Sequence, residues 1–219
     1  MILDTLFALG LLLSTATELR LPGVPLGPGE ILLACWALLI VFREAGRLGL
    51  PLTPALTRLL IFWLVFFVAL SVGTLAGYVL GDIHDPDLFF HDVMAYPLAA
   101  AISCLSVAGP DARPSLHRVA WLLVGFGSAS LALQVASAWE LIDIPLIDPW
   151  YWDRFRGWSQ NPQQLALLCA VLPLVALYLA DAATRTGERI AALAYAIALC
   201  LVSGTARWHN RNRVVAVRE

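Results

Sequence analysis

Lysine is absent from this chain, and charged residues of any kind are scarce. All 14 basic residues are arginine, charged residues make up 14% of the 219 residues, and the formal net charge is −2. Soluble domains carry about 25% charged residues, so this chain cannot cover a water-exposed surface with charge. A nucleic-acid-binding protein needs a concentrated basic face, so the same balance excludes that class and nucleic acid as a partner.

Cysteine is also rare, and its four copies are isolated from one another. They lie inside apolar runs, with no C-x-x-C pair and no histidine at metal-ligand spacing: Cys35, Cys104, Cys169 and Cys200. Such positions favour small buried apolar side chains over disulfides or metal ligands. We therefore expect no structural metal and no cofactor.

What the chain has instead is hydrophobic length. Apolar residues make up 60% of it, against about 45–50% in soluble proteins. A helix needs about 20 apolar residues to cross a bilayer. These observations predict an all-α, polytopic transmembrane helical bundle over residues 1–206, surrounded by membrane lipid. The seven candidate spans are residues 2–17, 26–42, 59–80, 93–108, 119–139, 163–180 and 190–206.

The two ends of this apolar region have distinct patterns. The first run lacks the basic residues that begin a signal peptide, so we interpret it as a retained first helix. A turn dense in proline and glycine, LPGVPLGPGE, joins it to the second run and favours a tight helical hairpin with Glu30 near the membrane surface. The last run is short and rich in alanine, which suits packing against neighbouring helices better than facing lipid.

The distribution of arginine predicts the orientation, because cytoplasmic loops retain positive charge. Three arginines lie in one set of alternate loops, namely Arg20, Arg154 and Arg156. Seven lie in the other set: Arg43, Arg47, Arg58, Arg113, Arg118, Arg185 and Arg189. This places the amino terminus in the cytoplasm and two loops outside, residues 81–92 and residues 140–162.

The basic tail, residues 207–219, does not fit this orientation. It adds four arginines on the side where an odd number of spans predicts the outside. Either the seventh span is not real, or the end is frame-altered, or the chain is the front portion of a longer one. We favour truncation, with or without a change of frame.

The outward loop, residues 140–162, is the most informative stretch of the sequence. Its aromatic residues suit the headgroup level of a membrane, so an interfacial helix is one interpretation. The other interpretation starts from Arg154 and Arg156, which precede a helix opening at Asn161-Pro162. Guanidinium groups match phosphate oxygens, and a helix start offers free N–H groups to an anion. This pattern indicates a diphosphate site.

The segment RFRGWSQNPQQLALL resembles the R-x-x-G and N-P-N-x-x-A pattern of the O-antigen ligase and O-antigen polymerase superfamily of bacterial envelope enzymes. Gln163 stands where the pattern has its second asparagine. Residues 203–207, SGTAR, resemble a following S-G-S-R-G turn with the arginine one place late. The residues that match the main pattern are Arg154, Gly157, Asn161, Pro162 and Ala166.

The resemblance implies transfer of a glycan from undecaprenyl diphosphate to a lipid or glycan acceptor, at the outer face of the bacterial inner membrane, without a metal or a nucleotide sugar. Arg154, Arg156 and Arg207 would then bind the diphosphate. Members of the family carry a proposed histidine base in a later loop, so no base is assigned and we expect this chain to be inactive alone. The sequence does not distinguish a ligase from a polymerase.

Other features leave further alternatives open. A transporter or a non-catalytic membrane protein would also have many spans, although charges buried at mid-membrane and internal repeats are missing. Gln134, deep in an apolar run, suggests a bond to a neighbouring helix or a cavity wall. The stretch from Gly125 to Ser130 is similar to a nucleotide loop but suits close helix packing better. A divalent ion could bind an acidic loop cluster, namely Asp82, His84, Asp85, Asp87, His91 and Asp92.

Overall fold

The computed structural model describes most of the 219 residues. Described are residues 1–20, 27–46, 52–80, 86–142, 149–151 and 154–216, with the backbone alone at 86–94, 151 and 202–216.

α-Helices make up almost all of the described chain. The helices are α1 (Ile2–Leu13), α2 (Pro28–Ala45), α3 (Pro54–Leu80), α4 (Pro86–Ser106), α5 (Ala112–Ala138), α6 (Pro162–Ala182) and α7 (Thr186–Ala216). A 3-10 turn (Thr17–Leu19) follows α1, and two short strands lie between α5 and α6, β1 (Trp150–Tyr151) and β2 (Arg154–Phe155). The prediction of an all-α chain is confirmed, with these two strands as its exception.

Three described helices, α3, α5 and α6, are long and apolar enough to cross a membrane. Shorter apolar helices occur at Ile2–Ser14 and Ala95–Ser106. The 12 residues of α1 extend about 18 Å at 1.5 Å per residue, less than the hydrocarbon core of about 30 Å. The membrane character of the chain therefore rests on three helices, and the arrangement of seven spans remains a prediction.

Two predicted boundaries are wrong. Helix α4 begins at Pro86, so the predicted loop at residues 81–92 is helical from that residue on; proline suits the first helical position because it has no N–H to leave unpaired. Helix α7 continues to Ala216, so residues 203–207 are helical and the helix extends beyond the predicted span at residues 190–206. No proline interrupts α7, and alanine and arginine favour helix.

The chain divides into two compact units. Unit 1 comprises Met1–Leu32 and His117–Glu219, and unit 2 comprises Leu33–Leu116. In unit 1, α5, α6 and α7 pack through small side chains, as predicted for the alanine-rich last run. The buried members of this cluster are Ala120, Val124, Ala176, Leu179, Ala180, Ala192 and Ala196.

Helices α1 and α5 of unit 1 run in the same direction. Asp4, in the first turn of α1, accepts a hydrogen bond from Arg118 near the start of α5. At the other end, Glu18 contacts the segment that follows α5, through a hydrogen bond to Trp158. The end of α1 lies against the start of α2, since a Cβ on Gly29 would lie 2.0 Å from the Ser14 backbone nitrogen. Most of the turn predicted to join the first two helices in a hairpin lies outside the described residues.

Unit 2 contains the pair formed by α3 and α4. Trp63 of α3 donates its indole N–H to the Ser103 hydroxyl of α4 at 2.8 Å. The Phe66 ring meets Tyr96 edge-on, with the ring centroids 5.0 Å apart. Helix α3 otherwise presents its large apolar side chains outward, which in a membrane protein means that they face lipid or other helices.

The four cysteines are not disulfide-bonded in the described part of the chain, and they are less buried than predicted. Cys35 and Cys200 are exposed, and Cys104 and Cys169 are half-buried. The prediction of buried side chains is wrong because these positions lie on outer faces of apolar helices, where sequence hydrophobicity reflects contact with lipid as well as with a core.

Candidate functional site

A small hairpin carries the first of the predicted arginines. Trp150 pairs with Phe155 and Tyr151 pairs with Arg154 in antiparallel register. The Trp150 and Phe155 rings tilt against each other with their centroids 5.6 Å apart. The alternative of an interfacial helix is therefore wrong over this stretch, since β-branched or aromatic residues facing each other favour strand pairing.

The two predicted arginines of this segment have different environments. Arg154 is exposed on β2. Arg156 follows the strand, and its side chain is only 17% exposed because its Nη1 lies 2.7 Å from Oε1 of Glu18. The fold thus presents one guanidinium to the surroundings and holds the other against a carboxylate.

The end of α1 is tied to the segment after β2 by a set of contacts that we name the clasp. It joins residues 15–18 to residues 158–164 through four hydrogen bonds. Glu18 N donates to Trp158 O (3.0 Å), Ser159 Oγ to Thr15 O (2.6 Å), Gln160 N to Thr17 Oγ1 (2.8 Å) and Thr17 Oγ1 to Gln164 Oε1 (3.0 Å). Thr17 and Ser159 are 4% and 3% exposed, so their polar groups are satisfied within the fold.

Gly157 occupies a position that no other residue type fits. Its φ is +58°, and a Cβ there would lie 2.0 Å from Oε1 of Gln134. The backbone N–H groups of Arg156 and Gly157 both donate to the carbonyl of Pro149. The turn after Arg156 is thus fixed by the Pro149 carbonyl on one side and by Gln134 of α5 on the other.

Helix α6 begins directly after the clasp with a capped first turn. The Asn161 side chain accepts a hydrogen bond from Gln163 N at 2.9 Å, and Pro162 occupies the first helical position. These are the residues that the sequence predicted as a helix start. Ala166 lies on an exposed face of α6, so the small residue of the pattern makes no close packing contact there.

A cavity of about 250 Å³ adjoins the clasp within unit 1. Side chains of α1, α5 and α6 make it largely apolar, among them Leu9, Leu12, Phe126, Leu133 and Leu165. Polar groups occur where it meets the clasp and the turn: Thr15, Ser130, Gln134, Trp158 and Ser159. The Trp158 Nε1 is buried and has no hydrogen-bond partner among the described residues. The cavity can hold a hydrocarbon group near a polar end.

The third predicted arginine, Arg207, belongs to α7, and its side chain lies outside the described residues. Leu199 of the same helix packs in a cluster with Leu131 and Leu165, against which Phe155 also lies. Eight residues later, the Arg207 backbone is about 12 Å further along the helix axis. The backbone thus brings Arg207 to the same end of unit 1 as Arg154 and Arg156.

The proposed metal cluster at residues 82–92 lies outside the residues whose side chains the structure describes. Among the side chains that are described, no group of three potential ligands comes together. The nucleotide-loop interpretation of Gly125 to Ser130 is wrong, because this stretch is part of α5. Gly127 instead packs closely, as the alternative predicted, since a Cβ there would lie 2.7 Å from Leu172.

The sequence did not predict two contacts of the candidate site, which join Glu18 to Arg156 and Thr17 to Gln160. Their signal was a cluster of hydroxyl and carboxylate residues that ends an apolar run. Gln134, the lone amide in an apolar run, lines the cavity, which confirms one of its two predicted alternatives, but its oxygen bonds to the backbone of Trp158 in the turn before α6 and not to a neighbouring helix.

No protein-family model, curated protein or solved structure matches this chain. The resemblance to the O-antigen ligase and polymerase superfamily therefore depends on the short motif alone.

Proposed function

We propose that this chain is an O-antigen ligase-like membrane protein, which supplies the donor-binding part of the transfer of a glycan from undecaprenyl diphosphate to an acceptor in the synthesis of envelope polysaccharide. The observation that carries the proposal is the placement of Arg156. It lies in a fixed turn next to the capped start of α6, and the same turn forms the polar end of an apolar cavity. A lipid-linked diphosphate has the same two parts, an anion and a hydrocarbon chain.

In this proposal, Arg154 and Arg156 bind an anion. As the glycosidic bond breaks, negative charge grows on the diphosphate leaving group, and fixed guanidinium groups stabilise it. Arg154 is exposed and can approach a ligand directly. Arg156 binds the anion by exchanging Glu18 for a phosphate oxygen. The positive end of the α6 helix dipole adds to the attraction.

The cavity supports the hydrocarbon part of the ligand. An apolar cavity of about 150 Å³ is enough to bind benzene, and this one measures about 250 Å³. It therefore has room for a segment of a branched chain, while the rest of the chain would extend along the helices.

The proposal includes a location and an orientation. We place the chain in the bacterial inner membrane with about seven spans, its amino terminus in the cytoplasm and the clasp at the outer face. Support comes from the shared direction of α1 and α5, which a topology with these helices as first and fifth spans requires. The excess of arginine in the opposite loops supports the same orientation.

Binding of undecaprenyl diphosphate by the full chain in lipid nanodiscs tests the proposal. We expect the diphosphate to bind more tightly than undecaprenyl monophosphate, and Arg154→Gln and Arg156→Gln each to weaken its binding about 10- to 150-fold, because a charged hydrogen bond contributes about 1.5–3 kcal/mol. Arg185→Gln is the matched control, since Arg185 is 83% exposed and lies between α6 and α7. Equal binding of both lipids, or no effect of either motif variant, contradicts the proposal.

Labelling of introduced cysteines tests the orientation. In a cysteine-free background, Gln160→Cys and Arg185→Cys place a thiol at exposed positions beside the start of α6 and before α7. We expect a membrane-impermeant maleimide to label Gln160→Cys in intact spheroplasts, and Arg185→Cys only after permeabilisation. The reverse result would place the clasp in the cytoplasm, where the proposed donor is not used.

A further inference from the structure

Gln134 is a buried amide whose side chain has a partner at each end. It belongs to α5 and is 4% exposed. Its Nε2 donates to the Ser130 hydroxyl one turn earlier at 3.0 Å, and its Oε1 accepts the backbone N–H of Trp158 at 3.1 Å. The first bond fixes the rotamer of the amide, so the oxygen is aimed at the turn.

The turn itself is shaped to meet this oxygen. Gly157 takes a left-handed conformation and leaves no Cβ in the space that Gln134 Oε1 fills. Trp158 then directs its N–H toward the same atom. The backbone N–H groups of Arg156 and Gly157 are held by Pro149, so the amide completes the set by holding the third N–H of the turn, that of Trp158.

We propose that Gln134 is a positioning residue for Arg156. The amide holds the turn that carries the arginine, and this holds the guanidinium where it meets Glu18 in the free protein and the diphosphate in the complex. This inference rests on the function proposed above. It assigns no contact between Gln134 and the phosphate groups, so the effect of Gln134 on binding passes through Arg156.

A double-mutant cycle in the full chain tests this role, with undecaprenyl diphosphate in nanodiscs as the probe. Gln134→Met keeps the length of the side chain and removes the acceptor, and we expect it to weaken binding about tenfold, since an N–H left unpaired in a buried site shifts the turn. Gln134→Glu retains an oxygen and is expected to bind more tightly than Gln134→Met. Ser130→Ala, which leaves the acceptor in place, is the control and is expected to stay within about twofold.

The cycle distinguishes positioning from a general structural role. In an Arg156→Gln background, Gln134→Met is expected to have no further effect on binding, because the group that it positions is gone. An equal loss in both backgrounds, unchanged binding by Gln134→Met, or a Gln134→Glu variant as weak as Gln134→Met overturns the inference. If methionine at 134 prevents folding, Gln134→Asn takes its place, because it withdraws the oxygen by one methylene.

Hydrogen exchange separates this inference from the proposed function. Gln134→Met is expected to raise exchange at Trp158 and its neighbours without changing α7, whereas Ser130→Ala is not. If the unaltered chain binds no diphosphate, the proposed function is wrong, and so is the role of Arg156 in binding diphosphate. Unchanged exchange at Trp158 in Gln134→Met overturns the positioning role itself, whatever the binding result.

Discussion

The guanidinium Nε of Arg118 lies 2.7 Å from Oδ2 of Asp4 and joins two residues that are 114 positions apart. The Asp4 side chain is 7% exposed and the Arg118 side chain 49%. The amino group of Met1 lies 3.5 Å from the same carboxylate. A carboxylate in an apolar helix is thus neutralised by a partner from α5, which fixes the start of α1 on that helix.

Removal of the Arg118 charge should destabilise unit 1. We expect Arg118→Gln to lower the free energy of unfolding by about 1–3 kcal/mol, less than for a fully buried pair because Arg118 is half exposed. Arg185→Gln, at an exposed pair with 3.9 Å between Arg185 and Glu188, should cost under about 0.5 kcal/mol. Unfolding in mixed detergent measures both. Asp4→Asn should recover part of the loss in the Arg118→Gln background, and equal effects of the two arginine variants would contradict the assignment.

The clasp should depend on one hydroxyl. Thr17→Val keeps the shape of the side chain and removes the oxygen that accepts from Gln160, so we expect a loss of about 1–3 kcal/mol in unfolding free energy. Thr57→Val is the matched control, because the Thr57 hydroxyl is exposed and donates to the Thr53 carbonyl one turn earlier in the same segment. Limited proteolysis before residue 162 should become faster in Thr17→Val alone. A clasp that resists proteolysis in both variants would show that the hydroxyl is dispensable.

Two glycines two positions apart in α5 should respond in opposite ways to alanine. A Cβ on Gly127 would lie 2.7 Å from Leu172, so Gly127→Ala should cost about 1–3 kcal/mol by overpacking. Nothing lies within 4 Å of a Cβ on Gly125, so Gly125→Ala should be neutral or stabilising by up to about 1 kcal/mol. Thermal unfolding in detergent compares them. A Gly127→Ala chain as stable as Gly125→Ala would mean that α5 and α6 separate more easily than their packing indicates.

Alanine at Gly157 should have a larger effect than either of these changes. Its Cβ would meet Gln134 at 2.0 Å, and the backbone has a positive φ, which costs an L-residue about 1–2 kcal/mol by itself. We expect a loss of more than about 2 kcal/mol and weaker diphosphate binding. Gly73→Ala is the control for adding a methyl group where it meets nothing, because no atom lies within 4 Å of a Cβ on Gly73 of α3. Partial rescue of Gly157→Ala by Gln134→Ala would identify the collision as the cause.

The sequence predicted well what depends on neighbouring residues. The Asn161-Pro162 start of α6 and the end of the predicted span 119–139 agree with the structure, because capping chemistry and apolar length act locally. Local capping ends α5, for example: Glu140 has a φ of +59°, and the Leu141 backbone N–H donates to the Ala136 carbonyl. The apolar run ends near residue 206 and therefore does not predict that α7 extends further. Helix propensity continues in the residues after 206, and the helix continues through them.

The contacts around Arg156 could not be predicted from the sequence. Glu18 and Arg156 are far apart in the chain, and only the parallel course of α1 and α5 brings them together. The alternation of the predicted spans does place the end of the first span and the loop at residues 140–162 on the same side of the membrane. It does not predict which of their side chains meet. The sequence predicted Arg154 and Arg156 as members of one site, but it did not predict that Arg154 is exposed and Arg156 is largely buried against Glu18.

The bonds between α1 and later segments have a consequence for biosynthesis. Thr17 and Gln164 are separated by 147 residues, and at 5–20 residues per second the ribosome needs about 7 to 30 s to make the chain between them. During that interval the hydroxyl and carboxylate groups at the end of α1 must remain hydrated or be shielded by the insertion machinery. Helix α1 is therefore synthesised well before the segment that completes its environment.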